Sequence, residues 1–147
     1  MERFLIAGAL IVVGVVVAVV LERRRPQPPT QDRWPVPTQL DRDDFDGGAA
    51  PWLVAVFTSA TCESCARATA KASVLASPSV AYLEVPYQTR KDLHVRYGVE
   101  AVPCIVVADS EGVVRASFIG APTATDLWAA VAEARNPGST PEPELGH

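Results

Sequence analysis

The chain has 147 residues and a formal net charge of −4, and charged residues make up 20% of it although the first twenty-odd positions hold almost none. That length accommodates one ordinary domain with some to spare, and the charge balance gives no broad electrostatic reason to expect nucleic acid as a partner. Three cysteines are too few, and odd in number, for a secreted disulfide framework; a domain of about a hundred residues buries a working core without staples, so these cysteines are free to do chemistry.

Residues 4–21, FLIAGALIVVGVVVAVVL, carry no charge and no strongly polar group. At about 1.5 Å per residue the run spans roughly 27 Å as a helix, close to the hydrocarbon thickness of a bilayer. A cleavable signal peptide would favour a basic start and a small-residue cleavage site, and a buried core helix is the other alternative. The run ends instead in Val19-Val20-Leu21-Glu22-Arg23, which favours a retained single-span anchor after a short tail (1–3). Arg23, Arg24, Arg25 and Arg33 follow the span and only Arg3 precedes it. The positive-inside rule then puts the C-terminal domain in the cytoplasm, the alternative being that the arginines only bind lipid headgroups.

Residues 22–37 hold five prolines and no hydrophobic period, the pattern of a semi-rigid spacer. Residues 136–147 read as a disordered tail, which leaves 38–135 as the candidate globular domain. TQLDRDDF opens that domain, predicted as a short strand with a helical turn at Asp43 to Phe45. Trp52 to Phe57 is a continuous apolar run of strand length, as in a strand buried on both faces. Thr61 can cap a helix from Cys62 to about Ala76, closed by Pro78. Val80 to Val85 forms a second buried strand, and Arg90 to Tyr97 a short helix ended by Gly98. Cys104 to Ala108 and Val113 to Ile119 are β-rich runs joined through Asp109-Ser110-Glu111-Gly112, a hairpin signal. Thr123 to Arg135 places Leu127, Val131 and Ala134 at helical spacing. The order βαβαββα describes an α/β domain, a mixed sheet with helices on both faces.

The chemistry concentrates in Cys62-Glu63-Ser64-Cys65. Two cysteines three apart at a helix start lie on one face, the first where unpaired N–H groups and the helix dipole favour a thiolate, the second one turn further in. The spacing alone is ambiguous, since half of many zinc sites look the same. A strand followed by the pair and then a helix favours redox use over a metal site or a structural disulfide. Only Cys104, His94 and His147 could add ligands, and none belongs to a second paired motif. Cys104 reads as a packed thiol by default and as a third redox or metal-binding thiol in the sharper reading. His94 reads as a surface or half-buried histidine. Trp34, Trp52 and Trp128 read as packing residues, and Asp41, Asp43, Asp44 and Asp46 as a solvated segment or a weak cation site.

VAVFTSATCESC together with RYGVEAVPCIVVADSEGVVRASFIG resembles the thioredoxin family over residues 38–135, here in a membrane-anchored form. The resemblance implies a thioredoxin-like fold and thiol–disulfide exchange with protein dithiols or disulfides and no dissociable cofactor. Cys62 would be the attacking and Cys65 the resolving cysteine. Pro103 would be the cis-proline beside the site, with Val102 offering its backbone to an extended substrate. Departures fall at Thr61, where the family usually has tryptophan, at Glu63 and Ser64 between the cysteines, and at Val56, where a buried aspartate is usual. Glu63 places a negative charge beside the developing Cys62 thiolate and opposes the helix dipole. Tethering would favour membrane-proximal partners. The rival readings are a soft-metal module binding copper(I) through Cys62, Cys65 and Cys104, and a redox-inactive peptide-binding domain.

Overall fold

β1 (Trp52–Thr58) is the centre of the sheet because every residue after Trp52 is apolar or able to bury its polar atom, and all six are buried. The computed structural model describes residues 13–17, 34–46 and 49–139. β2 (Val80–Pro86) pairs with β1 in parallel, Val56 opposite Glu84 and Thr58 opposite Pro86. β3 (Cys104–Ala108) pairs antiparallel on the other side, Phe57 opposite Cys104, and β4 (Val114–Ile119) pairs antiparallel with β3. The order is β2-β1-β3-β4, a mixed sheet as the sequence implies.

Strand alternation divides the core into two layers. Val54, Val56, Ile105, Val107 and Phe118 pack with α1 (Cys65–Ser73) and α3 (Ala124–Arg135) through Ala68, Ala72, Leu127 and Val131. Leu53, Ala55, Phe57, Cys104 and Val106 pack on the other face with Leu40, Phe45 and Leu93, the last from α2 (Lys91–Arg96). α1 lies over β1 and β2, so its first turn sits above the C-terminal ends of both strands.

Local signals behave as their chemistry requires. α2 ends in a Schellman turn: Gly98 takes φ +63°, its N–H bonds the Val95 carbonyl, and the Val99 N–H reaches the His94 carbonyl at 2.9 Å. Thr123 caps α3 through the Asp126 N–H. Gly112 in the β3–β4 turn has φ +79°, and a Cβ there would lie 1.9 Å from the Leu40 carbonyl oxygen.

Several boundaries depart from the sequence reading. The strand expected at the domain's start is a single bridge, Gln39 to Val113, so β4 proper begins one residue later. The helical turn is a 3-10 turn at Arg42–Asp44, capped by the Asp41 side chain. Val36 and Pro37 already pack against the domain, so its first packed residues precede Thr38. α1 begins at Cys65, not Cys62, and ends at Ser73, not Ala76. The flanking residues form tighter i→i+3 turns, Cys62 N–H to the Ser59 carbonyl and Leu75 N–H to the Ala72 carbonyl among them. Thr61 is not the cap; its hydroxyl lies 3.3 Å from that of Ser59.

Of the apolar run 4–21, only residues 13–17 lie among the described residues, where they are helical with Val13, Val15, Val16 and Val17 exposed. No helix among the described residues is long and apolar enough to cross a membrane. The rest of that run, spacer residues 22–33 and tail residues 140–147 lie outside the described residues. Residues 136–139 form a turn closed by the Ser139 N–H on the Asn136 carbonyl.

Asp109 anchors the β3–β4 turn, accepting from the Glu111 and Val113 N–H groups and from Arg115 Nε at 2.8 Å. Burial pushes its carboxyl up, but the Arg115 guanidinium and the two N–H groups outweigh burial and hold it below its ordinary 3.8. A depressed carboxyl stabilises the fold above the unfolded value and loses that contribution as pH falls through the folded value. Asp109→Ala is therefore expected to cost about 1–3 kcal/mol at neutral pH. In urea unfolding the gap from wild type should narrow as pH drops below about 4; a gap independent of pH would contradict the ionic account.

Candidate functional site

The C-terminal end of β1 and the N-terminal end of β3 meet at one pole of the sheet, as the pairing of Phe57 with Cys104 requires. That pole gathers the Cys62–Cys65 turn and the Val102–Pro103 link from distant parts of the chain. Cys62 and Cys65 form a disulfide with Cα atoms 5.4 Å apart. Cys62 is half-buried, whereas Cys65, inside the first turn of α1, is 4% exposed. The pair is thus asymmetric: Cys62 is partly exposed to solvent and Cys65 is covered.

Glu63 is exposed between them. The Ser64 hydroxyl lies 3.6 Å from Cys62 Sγ and, with that sulfur oxidised, only the hydroxyl has a proton to donate. On a Cys62 thiolate the hydroxyl would support the charge and the carboxylate would oppose it. In the reduced protein, Glu63→Gln is expected to lower the Cys62 pKa by about half a pH unit, the size of an exposed charge a few ångströms away. Iodoacetamide alkylation below the midpoint should then run about threefold faster; an unchanged or slower rate would refute the electrostatic role.

The Val102–Pro103 peptide is cis, Pro103 is buried, and its carbonyl accepts from the Gly120 N–H at 2.8 Å. Val102 is half-buried and packs against the Phe57 layer. Val56 is fully buried, so no carboxylate sits at that position.

Cys104 is the cysteine the structure does not bring to the pair. Its side chain packs in the Phe57 layer, on the sheet face opposite α1, and is fully buried. Burial pushes its thiol up to about 12, the condition of a packed, unreactive cysteine. Among the described residues no group of three or more His, Cys, Asp or Glu is arranged to hold a metal ion.

His94 is a correction. It is 3% exposed, not at the surface, while its neighbour Val95 is 71% exposed. Its Nε2 donates to the Val85 carbonyl at 2.8 Å, and its ring meets Phe57 and Tyr87 edge-on at 5.1 and 5.3 Å. A buried carbonyl needs a donor, which valine cannot offer. The acidic segment is not simply solvated either. Asp41 and Asp44 pair with Arg96, each at 3.2 Å, and the Tyr97 hydroxyl donates to Asp44. Asp43 and Asp46 are exposed. Trp52 is half-buried against the α1 layer, whereas Trp34 and Trp128 are exposed.

Two braces of the site have no sequence signature. Gln88, just after β2, donates through Nε2 to the Ser59 hydroxyl and accepts the Ala60 N–H through Oε1, fixing the loop ahead of Cys62. Thr58, 3% exposed, donates its hydroxyl proton to Glu84 Oε1 at 2.8 Å. Both link residues more than 25 positions apart, beyond the reach of any local pattern.

No protein-family model matches the chain, and no curated protein matches it. Solved structures do. A mutant thioredoxin from Halobacterium salinarum superposes with a TM-score of 0.54 at 18% identity, over 69% of this chain and 90% of that one. Spinach chloroplast thioredoxin F (short form) gives 0.52 at 21% identity, over 69% and 97%. Fasciola hepatica thioredoxin gives 0.51 at 24% identity, over 58% and 82%. At these identities the likeness establishes the fold: the domain is thioredoxin-like, a mixed sheet covered on both faces with Cys62 and Cys65 at one pole.

Proposed function

We propose that the protein is a membrane-tethered thiol–disulfide oxidoreductase. The observation that carries the reading is the disulfide of unequal sulfurs, Cys62 reachable and Cys65 covered, at the head of α1. Cys62 thiolate attacks a partner disulfide and forms a mixed disulfide. Cys65 then attacks Cys62 Sγ, the partner's second sulfur leaves as a thiol, and Cys62–Cys65 is left oxidised. The pair itself stores the two electrons, so no dissociable cofactor enters the reaction. In this reading the Val102–Pro103 link, at the same end of the sheet as the cysteines, offers the Val102 backbone to an extended partner segment.

The apolar run 4–21 supplies the single-span tether in this reading, and the arginines after it favour a cytoplasmic domain. Tethering raises the effective concentration toward membrane-bound partners, so the substrates are dithiols or disulfides of membrane-proximal proteins. Expression of the Cys65→Ser chain in cell membranes tests the proposal. Partners should accumulate disulfide-linked to Cys62 and be released by dithiothreitol. No adducts on either side of the membrane would overturn it, and bound copper after anaerobic purification would replace it with the metal-handling reading.

A further inference from the structure

The resolving step needs a proton to leave Cys65, and the titratable groups around α1 narrow where that proton can go. Cys65 is 4% exposed, so water has little direct access to its sulfur. On the sheet face beneath α1, the titratable side chains of β1 and β2 are Tyr82 and Glu84. Burial, and then the Glu84 charge, hold the Tyr82 phenol above 10, so it keeps its proton at neutral pH and is no base. Arg67 and Lys71 of α1 are cations, and Lys71 is engaged with the Pro122 carbonyl at 2.7 Å. On α3, Asp126 is committed to Thr123. Glu63 is exposed beside Cys62, ahead of the helix.

Glu84 is differently placed. It lies opposite Val56 in the ladder, one oxygen on the buried Thr58 hydroxyl while the residue as a whole is exposed. Thr58 follows Val54 and Val56 in strand parity, so its side chain is on the α1 face, at the end of β1 over which the first turn of α1 sits. A hydroxyl that donates to a carboxylate keeps its lone pairs free to accept. A carboxylate with one end on that hydroxyl and the other in water offers a way to solvent for a proton released at this end of β1, on the α1 face.

We propose that Thr58 and Glu84 form the proton relay of the resolving thiol. This rests on the oxidoreductase reading above. Cys65 S–H passes its proton through the Thr58 hydroxyl to Glu84. The Cys65 thiolate attacks Cys62 Sγ, the bond from Cys62 to the partner sulfur breaks, and the partner leaves as a thiolate. That thiolate takes up a proton, and Glu84 returns its own to water. The two cysteines are oxidised and the partner disulfide is reduced to two thiols.

The test uses the reduced full chain in detergent, mixed with one equivalent of the chromogenic disulfide dithiobis(nitrobenzoate) across roughly pH 5 to 9. The first equivalent of coloured thiol reports attack by Cys62 and the second reports closure by Cys65. Glu84→Gln and Thr58→Val are expected to slow the second phase about tenfold or more at pH 7, the low end of a general-base effect. They should move its pH midpoint upward and leave the first phase within about twofold. Thr58→Ser, which keeps the hydroxyl, should restore closure. A second phase unchanged in Glu84→Gln overturns the relay. So does a faster one, because removing a negative charge near a thiolate promotes its formation when charge alone matters. A wild-type protein that never releases the second equivalent at any pH overturns the oxidoreductase reading itself.

Discussion

Cys62→Ser is expected to abolish disulfide reduction, lowering turnover of a protein disulfide such as insulin on the order of 10³-fold or more, the scale on which loss of an essential nucleophile is felt. The serine hydroxyl keeps the size of the side chain and loses the thiolate, which is the only form that attacks sulfur. Ser64 remains in place and cannot substitute, since its hydroxyl is a donor 3.6 Å from the Cys62 sulfur, not a nucleophile. The covered Cys65 is no replacement, because a bulky partner disulfide cannot reach a sulfur that is 4% exposed. The double variant Cys62→Ser/Cys65→Ser should form no mixed disulfides, unlike Cys65→Ser alone. Residual turnover within about tenfold of wild type would mean that another thiol performs the attack.

The second large effect falls on stability. Phe57 is fully buried and meets His94 and Tyr97 with ring centroids 5.1 and 6.4 Å away. It also stands opposite Cys104 in the ladder, so sheet, α2 and the Cys104 strand all close on one ring. Phe57→Ala is expected to cost about 3–5 kcal/mol, the lost transfer energy plus the cavity left behind. Denaturant unfolding of the full chain, followed by tryptophan fluorescence, should show a lower midpoint with the slope unchanged. A loss under about 1 kcal/mol would mean that α2 collapses into the space and that this layer is loosely packed.

What is legible in the sequence is what the chain encodes locally. Trp52 to Phe57 announces a strand buried on both faces because no residue in it needs water. Gly98 and Asp109 to Gly112 mark chain reversals whose backbone demands those residues. Cys62 and Cys65 are visible as a pair because helical geometry fixes what three positions of separation can do. The features that escape are contacts between remote segments. His94 takes the interior place and Val95 the exterior one because the Val85 carbonyl must be satisfied, and hydrophobic spacing carries no record of that need. Thr58 with Glu84, and Gln88 with the loop at Ser59, are joined only once β2 lies beside β1. The start of α1 escapes too, because the Thr61 hydroxyl pairs with Ser59 instead of capping.

The contact between Gly112 and Leu40 has a mechanical meaning. The Leu40 N–H bonds the Gly112 carbonyl at 2.8 Å and the Val114 N–H bonds the Thr38 carbonyl at 3.0 Å. The entering chain is thereby clipped to the β3–β4 turn, at the pole away from Cys62. The seven residues of β1 separate the two poles by about 20 Å. A pull on the chain at Thr38 is therefore borne by the far turn and not by the loop that carries the cysteines, so the disulfide lies at the opposite end of the domain from the point where that load enters.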